Sequence, residues 1–266
     1  MNNQLKNTDA NIEDVKNFWD ARPCNVQHSK KELGSREYFD EVEKKKLFVE
    51  PNILKFSNFE ECQGLKVLEV GCGIGTAAIN FARHGADYTG FELSEKSLEI
   101  AQRRFEVYGF PGRFYQGNAE TLDQYLPDEQ YDLVYSWGVI HHSPNPKKII
   151  EQISKFVKPN GTFKLMLYAT NSWKNFMIDA GFDQPEAQYG CPIAYTYTNE
   201  EIKDLLSPKF EVVSIEQDHI FPYQIEPYKR GEYIKQPWFE SMPAEMFSTL
   251  EKQLGWHLMI TAKLKD

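Results

Sequence analysis

The sequence has few of the features that mark secreted, metal-binding or membrane proteins. Its 266 residues include four cysteines, at positions 24, 62, 72 and 191, and no two of them form a C-x-x-C pair. This spacing excludes a zinc-finger framework and predicts free thiols, as in a reducing compartment. Residues 1–13 lack the apolar centre of a signal peptide, and no apolar run approaches the roughly 18 residues of a membrane span. We therefore expect a cytoplasmic protein with no membrane partner and no bound metal.

An excess of positive charge is also missing. The chain has 30 Lys and Arg residues against 39 Asp and Glu residues, which gives a net charge of −9. Proteins that follow a phosphate backbone usually carry a basic face, so we expect no nucleic-acid partner. No internal repeat or low-complexity tract is present, and no pattern indicates an oligomeric state. Hydrophobic residues make up 41% of the chain, enough for the core of one domain.

The pattern of apolar residues divides the chain into three segments of one structural domain. Residues 1–64 predict an N-terminal helical cap, with apolar residues at helical spacing over 12–20 and 37–48 and a third helix whose first turn holds Pro51. Residues 65–168 predict alternating strands and helices. Residues 169–266 begin with an irregular insertion over 169–197, after which Thr198 opens a helix.

The alternation in the second segment predicts a parallel sheet with helices on both faces. The expected strands are 66–70, 87–91, 113–116, 131–136 and 162–168, and the expected helices are 77–83, 94–108 and 147–157. The third segment adds a strand over 210–221, a helix over 246–254 and a last strand over 256–264. We therefore predict an α/β fold with a seven-stranded, mostly parallel sheet, to which the last strand adds an antiparallel edge.

The first predicted strand ends in a glycine-rich turn, Gly71-Cys72-Gly73-Ile74-Gly75. In open α/β sheets, ligands bind beyond the carboxyl ends of the strands, and glycine lets the backbone approach them closely. Glu92 ends the second strand, 21 residues after Gly71, where a carboxylate can accept both ribose hydroxyls of an adenosine. A dinucleotide fingerprint would place its third glycine at position 76, which is Thr76. The pattern favours S-adenosylmethionine over a nicotinamide cofactor, and a turn without a ligand is the structural alternative.

Five motifs in order resemble those of class I S-adenosylmethionine-dependent methyltransferases, in particular the small-molecule subgroup related to ubiquinone and menaquinone methyltransferases. They lie within residues 65–168 and read VLEVGCGIG (67–75), GFELS (90–94), GNAE (117–120), YDLV with VIHHSPNP (131–134, 139–146) and VKPNGT (157–162). The family usually has Asp where this chain has Asn118. The resemblance implies a Rossmann-like fold and S-adenosyl-L-methionine as cofactor, with S-adenosyl-L-homocysteine as product.

The resemblance also implies roles for residues at the strand ends. The glycine turn would face the methionine part of the cofactor, with Glu69 near its ammonium group. Glu92 would bind the ribose, Leu93 would pack on the adenine, and Asn118 would accept a hydrogen bond from the adenine amino group without the charge assistance of a carboxylate. The implied cofactor-binding set is Glu69, Gly71, Cys72, Gly73, Gly75, Glu92, Leu93, Asn118, Ala119, Ser136 and Trp137.

Two histidines after the fourth strand, His141 and His142, are the candidates for a catalytic base. A histidine can take a proton near neutral pH, although both residues can instead shape the pocket. In related enzymes a histidine recurs at the position of His142, which makes it the better candidate. The substrate is expected under the segments outside the core, where Arg can grip a carboxylate. The substrate-binding candidates are Trp19, Arg22, Tyr195, Tyr197, His219, Tyr223 and Arg230.

These features predict an enzyme that transfers a methyl group to a small-molecule acceptor by in-line displacement. An RNA or protein methyltransferase is the first alternative. Two features count against it: the net negative charge of the chain, and the sequence Ser136-Trp137-Gly138-Val139 at the place where amino-group methyltransferases have their motif. A non-catalytic S-adenosylmethionine-binding protein is the second, against which the intact glycines and Glu92 count. These residues leave oxygen, nitrogen, carbon and sulfur open as the atom that accepts the methyl group.

Overall fold

The structure is a computed structural model that describes residues 9–182 and 190–265. Part of the predicted insertion, residues 183–189, therefore lies outside the described residues, as do residues 1–8 and 266. Within the described part, no helix is both long and apolar enough to cross a membrane. All four cysteines are free thiols.

Eleven α-helices and eight strands are described along the chain. The helices are α1 Ile12–Ala21, α2 Arg36–Val49, α3 Asn52–Ser57, α4 Thr76–Arg83, α5 Glu95–Tyr108, α6 Pro146–Ser154, α7 Trp173–Asp179, α8 Asn199–Leu206, α9 Ile225–Lys229, α10 Pro237–Glu240 and α11 Ala244–Leu254. The strands are β1 Lys66–Val70, β2 Asp87–Glu92, β3 Arg113–Gln116, β4 Tyr131–Trp137, β5 Val157–Ala169, β6 Thr196–Tyr197, β7 Phe210–Asp218 and β8 His257–Leu264.

The strands form one mixed sheet in the order β3-β2-β1-β4-β5-β8-β7, with β6 pairing beside the end of β5. Strands β1 to β5 are parallel, and β8 runs antiparallel to both of its neighbours. The predicted Rossmann-like α/β class and the antiparallel last strand are confirmed. The expected position of that strand at the edge is wrong, because β8 lies between β5 and β7, and β7 forms the edge.

Hydrophobic side chains cover both faces of the sheet, as a parallel sheet requires. On one face, Leu68 and Val134 pack with apolar residues of α6 and α8. On the other face, Val67 and Tyr135 pack with residues of α3 and α4. The helices on the two faces therefore bury the sheet and leave its carboxyl edge as the place where a cavity can open.

Side-chain caps explain why several helices begin where the sequence predicts. The Ser94 hydroxyl accepts a hydrogen bond from Ser97 N–H at the start of α5, and Thr198 and Glu201 form a reciprocal capping box at α8. The C-terminal end predicted for α6 is wrong: the helix stops at Ser154, because Val157 already pairs with Tyr131 in the sheet. Helix α7 and strand β6 lie in the stretch predicted to be irregular, and the division of the chain at residues 64 and 168 stays a prediction.

Helix α1 is fixed at its C-terminal end to the start of α5. The Asp20 carboxylate accepts a hydrogen bond from the Ser94 hydroxyl at 2.8 Å and one from Lys96 N–H at 3.4 Å. Val15, on the inner face of α1, is buried. Since α5 follows β2 directly, this contact places α1 over the carboxyl end of the sheet.

We predict that Gly255→Ala destabilises the protein. Gly255 precedes β8, and a β-carbon there would collide with the backbone carbonyl group of Asp218 at the end of β7. Overpacking of this kind costs about 1–3 kcal/mol, which urea denaturation would measure. The exposed Lys252 in α11 provides the control, since its change to alanine should alter stability by less than about 0.5 kcal/mol. Equal unfolding free energies for the two variants would contradict this packing.

Candidate functional site

A cavity of about 470 Å³ opens at the carboxyl ends of β1, β2 and β4. Its wall also includes residues of α1, of the chain that follows α1, of the C-terminal part of α2, and of the segment after β7. This volume lies within the roughly 300–1,000 Å³ of small-molecule sites. The predicted site at the strand ends therefore coincides with a real concavity.

The glycine turn forms one wall of the cavity in a left-handed backbone conformation. The φ angles of Gly71 and Gly73 are 81° and 52°, a region that side chains rarely occupy. A β-carbon on Gly71 would collide with Val139, whereas one on Gly73 would meet no atom within 4 Å. Gly71 and Cys72 thus shape the turn, and Gly73 presents bare backbone to the open space. Gly75 lies outside the wall, where it starts α4 and packs on Ala101.

Glu92 lies beside this turn and accepts three backbone hydrogen bonds. Its Oε2 accepts from Gly73 N–H at 2.8 Å, and its Oε1 accepts from Leu93 N–H and Ser94 N–H at 2.9 Å each. Burial raises the pKa of this carboxyl, and the three N–H donors act in the opposite direction. A carboxylate offers about four lone-pair sites, so Glu92 can accept further hydrogen bonds from a ligand in the cavity.

Glu69 is a second carboxyl group in the cavity wall. Its side chain is buried, and the Tyr88 hydroxyl donates a hydrogen bond to it at 2.6 Å. Burial raises the pKa of Glu69 to about 8, which the hydrogen bond from Tyr88 only partly offsets. The group therefore carries a proton at neutral pH, and a neighbouring cation would favour its ionised form.

The other residues implied for the cofactor divide between the wall and the sheet. Leu93, Asn118, Ala119 and Trp137 line the cavity, and the Asn118 side chain accepts a hydrogen bond from Glu120 N–H at 2.9 Å. Ser136 does not line it, because its buried hydroxyl donates to the Val70 carbonyl at 2.9 Å and ties β4 to β1.

The two candidate histidines have different surroundings. His142 lines the cavity, and its Nδ1 lies 2.6 Å from the Ile193 carbonyl oxygen, so Nδ1 carries the proton and Nε2 keeps its lone pair. Burial lowers the pKa of His142 to about 4. His141 does not line the cavity; its ring is fully buried against Tyr168, with a centroid separation of 3.8 Å.

A polar cluster that the sequence analysis did not identify lies beyond Trp137. The indole Nε1 donates to Glu50 Oε2 at 3.0 Å, and Lys46 Nζ lies 2.5 Å from Glu50 Oε1. His257 packs edge-on against Trp137 and stacks on His219 with a centroid separation of 4.3 Å. The i,i+4 pair of Lys46 and Glu50 was visible in the sequence, but nothing there connects it to β4 or to β8.

His219 occupies a left-handed backbone conformation with φ of 78°. Its N–H donates to its neighbour Asp218 Oδ1 at 2.7 Å, and its carbonyl accepts from Trp256 N–H at 2.7 Å. Such strain persists only where the surroundings hold it, and it concentrates at functional sites. These contacts present the His219 ring to the cavity.

The structure brings three of the seven substrate candidates to the cavity wall, namely Trp19, Arg22 and His219. The other four do not line it. Tyr197 packs beside the hydrophobic core, and Tyr195 donates its backbone N–H to the His141 carbonyl. Tyr223 stacks on Phe48, and Arg230 pairs with Glu232 on the surface.

Comparisons with known proteins agree with this geometry. Residues 67–161 match the family model described as "Methyltransferase domain". The ubiquinone biosynthesis O-methyltransferase of Proteus mirabilis is 33% identical over 118 residues, which are 44% of this chain and 48% of that protein. The enzyme of the same name from Pseudomonas fluorescens is 33% identical over 143 residues, 52% of this chain and 61% of that protein. The chain thus spans about half the length of the curated relatives it matches.

Solved structures share the fold at lower sequence identity. Magnesium protoporphyrin IX methyltransferase from Synechocystis superimposes with a TM-score of 0.61 at 15% identity, over 96% of this chain and 100% of that one. An S-adenosylmethionine-dependent methyltransferase from Mesorhizobium loti gives a TM-score of 0.51 at 18% identity, over 76% of this chain and 92% of that one.

We predict that Glu69→Gln removes a pH-dependent loss of stability. In the unfolded chain this carboxyl ionises near its usual pKa of 4.5, whereas in the folded protein its pKa is about 8. Its contribution to stability is therefore complete below pH 4.5 and is lost as the pH rises to about 8. Urea denaturation at pH 5 and pH 8 should show that the free energy of unfolding of the variant, relative to that of the wild type, is higher at pH 8 than at pH 5. The exposed Glu99, changed to Gln, is the control, and parallel pH dependence of wild type and Glu69→Gln would contradict the buried, protonated state.

Proposed function

We propose that this protein, whose residues 67–161 belong to the methyltransferase-domain family, transfers a methyl group from S-adenosyl-L-methionine to a small-molecule acceptor and releases S-adenosyl-L-homocysteine. The observation that carries the proposal is the pairing of the open Gly73 backbone with the Glu92 carboxylate in one cavity wall. The relatives are O-methyltransferases by name, which supports an oxygen atom as the methyl acceptor. The cytoplasmic location and the absence of a nucleic-acid partner stay predictions from the sequence.

The residues in the wall fit this cofactor. Glu92 would accept hydrogen bonds from the ribose hydroxyls, and Leu93 and Ala119 would pack beside the adenine, whose amino group would donate to Asn118. The Gly71–Gly73 backbone would approach the methionine part, and Glu69 would ionise beside its ammonium group. Each of these groups lines the cavity, and two carboxyl groups suit a ligand that carries positive charge.

The bound cofactor supplies a methyl carbon that its sulfonium already makes electrophilic, so the protein has to orient the acceptor and exclude water. Trp19 and Val15 of α1 line the cavity and would shield the methyl group from water. An acceptor hydroxyl must lose a proton as it takes the methyl group. We assign His142 Nε2 as the proton acceptor, because the Ile193 carbonyl holds the opposite nitrogen as the donor.

We predict that Glu92→Ala weakens binding of S-adenosylhomocysteine by about 10- to 100-fold, because hydrogen bonds to a charged group contribute about 1.5–3 kcal/mol. Isothermal titration calorimetry on the wild type and the variant measures the change. Glu95→Ala, at an exposed position three residues further along, should bind like the wild type. Failure of the wild type to bind the cofactor or its product would overturn the proposed function, and unchanged affinity in Glu92→Ala would remove the ribose assignment.

Turnover of labelled cofactor against a metabolite library, with the product identified by mass spectrometry, names the acceptor. With that acceptor, His142→Ala should lower kcat by at least about 100-fold and leave the affinity for S-adenosylhomocysteine unchanged, because only proton removal is lost. His84→Ala, outside the cavity wall, should turn over at the wild-type rate. Full activity of His142→Ala would show that His142 is not the proton acceptor and that it only shapes the pocket.

A further inference from the structure

The C-terminal part of α2 presents a lysine to the cavity. Lys45 lines the cavity, and its Nζ lies 4.7 Å from the ring centroid of Tyr228, which follows β7. Among residues 9–182 and 190–265, no carboxylate lies within 4.0 Å of this ammonium group. We call Lys45, Lys46 and Tyr228 the lysine wall. A partly buried ammonium group facing a cavity in this way can pair with a negative charge that a ligand brings.

Glu50, the carboxylate that contacts the lysine wall, already has its own partners. Glu50 Oε1 contacts Lys46, and Glu50 Oε2 accepts the hydrogen bond from Trp137. Lys46 holds the pKa of Glu50 well below its usual range despite burial, so the carboxylate is ionised. Glu50 is thus committed to Lys46 and Trp137, and no ion pair among the described residues neutralises Lys45.

The titratable groups around the lysine wall include one further carboxylate, Asp218, which acts on His219 and accepts a hydrogen bond from its N–H. Burial and the two lysines lower the pKa of His28 to about 3. Burial lowers the pKa of His219 to about 4 and that of His257 well below its usual range, so both rings are neutral at physiological pH. Two further lysines add positive charge here. Lys30 lowers the pKa of Lys45, and Lys174 lowers the pKa of the two stacked histidines.

We propose that the lysine wall binds an anionic group of the methyl acceptor, a carboxylate or a phosphate, whose charge pairs with Lys45. This inference rests on the proposed function, since the acceptor shares the cavity with a cofactor that itself carries positive charge. Phe221 and Tyr228 in the same wall provide an apolar surface for a ring. The acceptor class is therefore a small acid with a hydrophobic body, attracted by the positive charge at the Lys45 end of the cavity.

The test uses protein saturated with S-adenosylhomocysteine and three ring compounds, namely benzoate, phenyl phosphate and the uncharged benzamide. Calorimetric titration should show at least one of the two anions binding about tenfold or more tightly than benzamide, since one hydrogen bond between charged groups supplies this difference. The preference should weaken as salt is added. Whichever anion binds more tightly distinguishes a carboxylate site from a phosphate site.

Lys45→Met, which keeps the length of the side chain and removes its charge, should abolish most of this preference. Lys44→Met is the matched control, because Lys44 is exposed and does not line the cavity. Both variants should bind S-adenosylhomocysteine like the wild type, which shows that they are folded. Equal binding of all three compounds, no binding of either anion, or a preference that survives in Lys45→Met would overturn this inference and leave the proposed function standing. Loss of S-adenosylhomocysteine binding by the wild type would instead count against the proposed function.

Discussion

Three carboxyl groups lie in the cavity wall, and each needs hydrogen-bond partners in place of water. The rest of the site depends on how these partners are supplied. Glu92 obtains them from three backbone N–H groups, Glu69 from a tyrosine hydroxyl, and Glu50 from a lysine and an indole. Burying a carboxylate without such partners costs several kcal/mol. Because the partners belong to different elements, the same hydrogen bonds that satisfy these groups also fix β1 against β2 and α2 against β4.

The partners of the three groups also act differently on their protonation. Backbone donors and a lysine favour the ionised state at Glu92 and Glu50, whereas a single phenol leaves Glu69 protonated at neutral pH. The cavity therefore has a carboxyl group, Glu69, at one end and a positively charged lysine, Lys45, at the other. A ligand with a positive group and a negative group would be held in one orientation.

The sequence predicted the parts of the site that depend on local structure. A glycine turn after an apolar strand and a carboxylate at the end of the next strand are short-range patterns, and the turn and Glu92 do lie together. Glu50 and His257 could not be found in this way. Their partners Trp137 and Asn52 are 87 and 205 residues distant in the chain, and only the packing of α2, α3 and β8 brings them together.

The errors in the predicted fold have the same origin. Helical periodicity continued to Val157, but pairing with Tyr131 ended the helix at Ser154. Helix α7 was missed because its seven residues span too few turns for a helical period to be read, although Trp173, Phe176 and Met177 do recur at helical spacing. The last strand was expected at an edge, and the order of strands in a sheet is a long-range property that one strand's pattern does not contain.

The hydrogen bond between α1 and the start of α5 joins the roof of the cavity to its wall. Its Asp20 is hydrogen-bonded to Ser94, two residues beyond Glu92, so the helix that roofs the cavity is fastened beside the carboxylate that would hold the ribose. A hydrogen bond of this type contributes only about 0.5–1.5 kcal/mol, and the buried Val15 and the edge-on packing of Trp19 against His142 also hold α1 in place. Because Val15 and Trp19 line the cavity together with Glu92, a ligand bound there adds contacts to the helix and to the sheet at once, and its binding free energy strengthens their attachment.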